Sequence, residues 1–177
     1  MAHVILCMIV KNESKIIDRC LDSVLPHVDG FVVCDTGSTD NTVELVKAAG
    51  ERHGKMGQVF SHTWKNFGYN RTLSVRTAAS WVANNNLPET STYLLLMDAD
   101  MCLAVQDGWS EGLTEEAYNV LQKHGEALQY YNTRLIRLDR TWECVGVTHE
   151  YYRSTTGTHV KHQLHTIQIN DLGDGGS

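Results

Sequence analysis

The residues best suited to chemistry are Asp98-Ala99-Asp100, which close the run Thr92-Tyr93-Leu94-Leu95-Leu96-Met97. An apolar run of this length with polar flanks fits a strand buried on both faces. A carboxylate is costly to bury unless something positive meets it. Two carboxylates at the mouth of such a strand are most simply held if they leave the core together and share a cation. Mg²⁺ and Mn²⁺ take oxygen ligands of this kind and keep positions open for phosphates. In an open α/β sheet the carboxyl ends of the strands are also where ligands bind. Asp-x-Asp alone has a plainer alternative, a strand end and its turn, so its surroundings have to decide.

The elements around it follow from pattern. His3 to Val10 is continuously apolar and reads as a central strand, broken by Lys11-Asn12-Glu13-Ser14. Ile16, Ile17, Cys20, Leu21 and Val24 recur at helical spacing, which predicts a helix from Ser14 to Leu25 stopped by Pro26. Phe31 to Cys34 is a second buried strand, and Asp35-Thr36-Gly37-Ser38-Thr39-Asp40 a polar turn. A helix over Asn41 to Ala49 follows, capped by Thr39 or Asp40 and stopped by Gly50. Gln58 to His62 is a short strand and Asn70 to Asn84 a helix. Strand and helix thus repeat three times before the acidic strand, which predicts a parallel sheet with crossover helices. The remainder is expected to be mixed: a helix over Thr114 to His124, strands over Ala127 to Leu138 and Val145 to Tyr152, and a last short strand over Leu164 to Ile169.

At 177 residues the chain is expected to form one domain, with a first half over 1–103 and a second over 104–177. Its polar end, Asp171 to Ser177, reads as a place where a longer protein has been cut. A net charge of −6 without a Lys/Arg cluster excludes a nucleic-acid groove. No apolar run approaches the ~20 residues of a membrane span, so no transmembrane segment is expected. Five scattered cysteines with no Cys-x-x-Cys indicate neither a zinc site nor a disulfide framework, and point to a cytoplasmic, reducing compartment.

Four blocks carry a resemblance. They are Met8 to Ser14, Val33 to Thr42, Asn66-Phe67-Gly68-Tyr69-Asn70-Arg71, and Asp98-Ala99-Asp100. In order and spacing they resemble family 2 glycosyltransferases of the GT-A fold, an α/β class with a Rossmann-like, mostly parallel sheet and a smaller mixed or antiparallel acceptor half. Val145-Gly146-Val147-Thr148-His149-Glu150 is similar to the Gly-x-x-His-Glu segment of one branch of that family. The resemblance implies an inverting, metal-dependent enzyme. It would move a sugar from a nucleotide-diphosphate donor, UDP being the family's commonest nucleotide, to a glycan or protein acceptor.

By the same resemblance, Val10, Asn12 and Glu13 meet the base, although Asn12 and Glu13 equally suit the opening of a helix. Asp35 accepts from the base, or caps its own turn. Arg71 is suited to phosphate, or is a solvated helix-face arginine. Asp98 and Asp100 hold Mn²⁺ or Mg²⁺, with Asp98 supporting the metal or contacting ribose. Asp171 stands where relatives place a late polar ligand, and His165 is near it in sequence. Glu150 is the implied catalytic base, with His149 orienting it or lining the pocket. Trp64, Trp109, Trp142, Tyr151 and Tyr152 offer aromatic platforms or simply fill the core, and Val105 to Glu111 is expected over the donor. Two other readings remain: a non-catalytic module of this fold that binds a sugar nucleotide or a partner, and a nucleotidyltransferase. The latter is disfavoured because Val-Lys-Asn-Glu stands where such enzymes carry a glycine-rich basic loop.

Overall fold

A computed structural model describes residues 1–146, 151–155 and 162–175. The parallel half is built from β1 (His3–Val10), β2 (Gly30–Asp35), β3 (Met56–Ser61) and β4 (Thr92–Leu96). The helices between them are α1 (Ile17–Val24), α2 (Thr42–Arg52) and α3 (Phe67–Asn84). The second half adds β5 (Met101–Val105), β6 (Ala117–His124), β7 (Leu128–Arg137), β8 (Trp142–Val145), β9 (Tyr151–Ser154) and β10 (His162–Asp171). Among the described residues, eight strands share one sheet in the order β3-β2-β1-β4-β7-β6-β10-β5. β8 and β9 form a separate antiparallel pair. β1 pairs in parallel with β2 on one side and β4 on the other. β7 joins antiparallel to β4 and carries the mixed half.

The pleat sorts side chains onto two cores. Val4, Leu6, Met8 and Val10 of β1 point to the face covered by α1 and α2. Ile5, Cys7 and Ile9 point to the face covered by α3. Because β1 lies between β2 and β4, the order of the strands reverses between β1 and β4, and their carboxyl ends open a crevice at that reversal, where α/β sheets bind ligands.

Several boundaries differ from expectation, each for a local reason. The segment Thr114 to His124 is not helical. Its second part is strand β6, where Ala117, Tyr118, Val120 and Gln122 are buried and the intervening residues less so. That period of two, with an aromatic and a β-branched residue, outweighs the helix propensity of the preceding glutamates. Gly50 does not stop α2; the place a Cβ would take there is filled by Phe31, whose ring would lie 2.7 Å from it, so glycine lets the helix pass. Helix α1 begins at Ile17 rather than Ser14, and Pro26 sits inside a following 3-10 turn, Leu25–His27. The expected strand over Val145 to Tyr152 resolves into the ends of β8 and β9, with 147–150 outside the described residues. The last strand is longer than expected, at ten residues.

The acidic strand itself is as buried as its sequence requires: Leu94 and Leu95 are fully enclosed between β1 and β7. Leu95→Ala is expected to lower stability by about 3 kcal/mol through lost burial and a residual cavity. Leu128→Ala, at an exposed strand start, is expected to stay within about 0.5 kcal/mol. Urea unfolding followed by circular dichroism measures both.

Candidate active site

A cavity of about 490 Å³ opens at the carboxyl ends of β1 and β4. Of the residues singled out by sequence, Val10, Glu13, Arg71, Asp98 and Asp100 all line it. Asn12 and Asp35 do not line it; they build the loop beside it. Asn12 adopts φ +52°, a left-handed geometry that asparagine tolerates better than most residues. Its Oδ1 accepts from the Thr39 amide at 2.7 Å, tying the loop after β1 to the loop after β2. Asp35 is 5% exposed; its Oδ2 accepts from the Gly37 and Ser38 amides at 3.1 and 3.0 Å and its Oδ1 from the Ser38 hydroxyl at 2.5 Å. Gly37 turns there at φ +114°, which a side chain would strain.

The cavity also has residues that the sequence reading did not assign to a nucleotide: Lys11, Thr36 and Phe67. Lys11 follows directly on the first strand, and its position there was the available signal. Trp64, expected only as a possible platform, stands at the rim with Phe67, their rings edge-to-face at 4.8 Å. Buried Asn70 folds this rim: its Oδ1 accepts from the Lys65 and Asn66 amides at 2.8 and 3.2 Å, and its Nδ2 donates to the Thr63 carbonyl at 3.1 Å. Asn66 caps α3 by accepting from the Tyr69 amide. The Asn66 to Arg71 block thus sets the start of α3 so that Arg71, one turn in, points across to β4.

There Arg71 Nη1 meets Asp98 Oδ1 at 2.9 Å, with the two side chains 16% and 30% exposed. Burial pushes the Asp98 carboxyl up, but the charges of Arg71 and then Arg134, with the Arg71 hydrogen bond, hold it below the ordinary carboxylate range. Asp100 goes the other way. Burial raises it first, then the neighbouring charges of Asp171 and Asp98. No Lys or Arg ion pair reaches Asp100 among the described residues. A divalent cation would relieve that repulsion. No three His, Cys, Asp or Glu side chains converge as a closed metal cage among the described residues. Mg²⁺ and Mn²⁺ do not need one, since they are commonly held by one or two carboxylates plus substrate phosphates. The donors present, Asp98 and Asp100, fit such an ion.

A second cavity of about 470 Å³ shares Arg71 and Asp98 with the first, so this ion pair is the partition between them. Its other walls include Tyr130, Tyr131, Tyr152, Asn132, Gln122, Arg134 and Asp171. Arg134 is 7% exposed; it donates to Gln122 Oε1 from Nε and Nη2 and to the Leu96 carbonyl from Nη1. Gln122 in turn donates to Asp171 Oδ2 at 3.1 Å. His165 does not join Asp171; it lines a separate groove of about 140 Å³ beside β5. Trp109 and Trp142 are core residues, donating to the His27 and Arg137 carbonyls. Trp109 holds its segment against the 3-10 turn after α1, so Val105 to Glu111 does not cover the first cavity. His149 and Glu150 lie outside the described residues.

Comparison with known proteins places this geometry. Residues 5–120 match the sequence profile described as glycosyl transferase family 2. The chain belongs to glycosyl transferase family 2. A TPR repeat-containing protein of Synechococcus elongatus is 33% identical over 148 residues, covering 79% of this chain and 32% of that protein. The chain spans about a third or less of the length of the curated relatives it matches. Among solved structures, Staphylococcus aureus TarS 1-349 in complex with UDP aligns at TM-score 0.54 and 15% identity, over 71% of this chain and 37% of that one. The Pyrobaculum calidifontis mannosyltransferase PcManGT in complex with GDP-Man and Mn²⁺ aligns at 0.52 and 19%, over 68% and 36%. At those identities the structural likeness establishes the fold, which is GT-A: one large, partly parallel sheet and a small antiparallel one.

The family 2 domain makes a pH prediction about its partition. Because Asp98 is depressed in the folded state, the stability its pair contributes is present above the ordinary carboxylate pKa and lost as pH falls through the depressed value. Arg71→Gln is expected to be destabilising by about 2 kcal/mol near neutrality, below the 3–5 of a fully buried pair. The difference from wild type should shrink below about pH 4. Denaturant titrations across pH would show a constant difference if the pair were not the cause.

Proposed function

We propose that this domain transfers a sugar from a nucleotide-diphosphate donor to an acceptor hydroxyl, with inversion at the anomeric carbon. The observation that carries the reading is the placement of Asp98 and Asp100 at the end of β4, facing a cavity walled by β1 and Arg71. Family membership supports sugar transfer. UDP is the proposed nucleotide, and TarS complexed with UDP has the same fold. In this reading residues 1–103 supply most of the donor cavity and 104–177 most of the acceptor cavity, within one domain.

Val10, Lys11, Glu13 and Thr36 surround the base and ribose, while Asn12 and Asp35 hold the loops that present them. Arg71 reaches the diphosphate from α3 as a planar donor. Asp100, with Asp98, is the proposed holder of Mn²⁺ or Mg²⁺; the solved structure of PcManGT, of the same fold, is a complex with GDP-Man and Mn²⁺. When bound, such an ion supplies positive charge to the departing diphosphate. The second cavity receives the acceptor, a glycan or protein. Its hydroxyl oxygen bonds to the anomeric carbon as the bond from that carbon to the phosphate oxygen breaks. The electron pair leaves with the diphosphate, and the proton passes to a base, for which Glu150 is proposed. No described helix is long and apolar enough to cross a membrane. A cytoplasmic setting is proposed from the scattered cysteines, which show no Cys-x-x-Cys pattern.

Hydrolysis or transfer should be followed over a panel of nucleotide sugars with and without Mn²⁺. Turnover that needs the ion and falls at least about 100-fold in Asp100→Ala is expected. Binding without turnover, indifferent to Glu150→Gln, would instead show a module that holds a sugar nucleotide without using it.

A further inference from the structure

After β10 ends at Asp171, the chain doubles back across the acidic strand tip. The Leu172 amide donates to the Asp100 carbonyl at 3.0 Å. The Gly173 amide donates to Asp171 Oδ1 at 2.9 Å, with Gly173 at φ +65°. Asp174 is then gripped by Arg19 of α1, whose Nη1 and Nη2 donate to Oδ2 and Oδ1 at 2.9 and 2.6 Å. The next residue, Gly175, lies against the Asp100 carboxylate and forms part of the first cavity's wall. A Cβ built there would sit 3.1 Å from Asp100 Oδ2 and 3.4 Å from its Cγ. A side chain at 175 would require the Asp100 carboxylate to give by a few tenths of an ångström.

Residues 172–175 are exposed. Exposed and outside any strand, these residues are held among the described contacts by such tethers. Its root is firm, since Asp171 is fixed through Gln122 to buried Arg134. Its far end depends on the Arg19–Asp174 pair. Isolated surface ion pairs contribute little, because two long side chains must be ordered. This one is a planar, two-pronged guanidinium–carboxylate contact, the strong form. It also joins residues 155 apart in sequence, so it acts on placement rather than on a helix already formed.

We propose that Arg19 is a positioning residue: by clamping Asp174 it holds the Gly175 backbone against Asp100 and so fixes the carboxylate that faces the donor. Arg19 lines neither cavity. The proposal rests on the donor reading above for its consequence, but the clamp itself can be examined without any ligand.

Two measurements test it. The first is amide hydrogen exchange of 172–175 in the ligand-free chain. Arg19→Ala and Asp174→Ala are each expected to speed exchange at Leu172 and Gly175 at least about fivefold. The charge-swapped double variant Arg19→Asp/Asp174→Arg should return it toward wild type. The second is Mn²⁺ binding in the presence of UDP, read from the electron paramagnetic resonance signal of free Mn²⁺. Both single variants and Gly175→Ala are expected to weaken binding about three- to tenfold with the midpoint of thermal unfolding unchanged, and the swap to restore it. A merely structural pair would lower the unfolding midpoint and leave Mn²⁺ affinity alone. Unchanged exchange in the single variants overturns the clamp. Faster exchange with wild-type Mn²⁺ affinity overturns its role in placing Asp100. If the wild type takes up no Mn²⁺ with UDP, the donor reading fails, and the exchange data still decide the clamp.

Discussion

A strand enclosed on both faces cannot end in two carboxylates without something to answer their charge. The rest of the site follows from how this chain meets that constraint. Asp98 is answered from within, by Arg71 on α3. Asp100 is raised by burial first and then by the charges of Asp171 and Asp98 around it. The two aspartates of one short motif are therefore not equivalent. One is a settled ion pair that separates two cavities, and the other is a carboxylate whose environment favours the arrival of a cation. The same division explains why the second half of the chain returns to the first. β10 brings Asp171 beside Asp100, and the segment after it closes over the strand tip.

The parallel half was legible because its signals are local and mutually consistent. β1 and β4 are continuous apolar runs of the kind only a doubly covered strand requires, and the breaks after them fall where the cavity opens. Val10, Glu13, Arg71, Asp98 and Asp100, from three of the four sequence blocks and more than 80 residues of chain, line one cavity. Asn12 and Asp35 stood open at that level. Their types suit a base or a loop, and in the fold both accept from backbone amides of the two loops. Residue type and spacing cannot tell a group that touches ligand from one that shapes the loop touching it.

The mixed half was harder because its elements are decided by tertiary packing. β6 carries glutamates before it and a lysine and a glutamine within it, and only the alternation of Tyr118, Val120 and Gln122 shows the strand. Gln122 is 2% exposed because Arg134 and Asp171 partner it, both distant in sequence. No local pattern announces that partnership. Gly50 is the same lesson in the first half: it reads as a stop, yet its role is to clear room for Phe31 from another strand.

The wall between the two cavities is one ion pair thick. Its two faces are furnished from different stretches of chain: loops after β1 and β3 on one side, tyrosines of β7 and β9 on the other. One chamber can therefore be refitted by substitution without redrawing the other, provided the arginine and the aspartate stay in place.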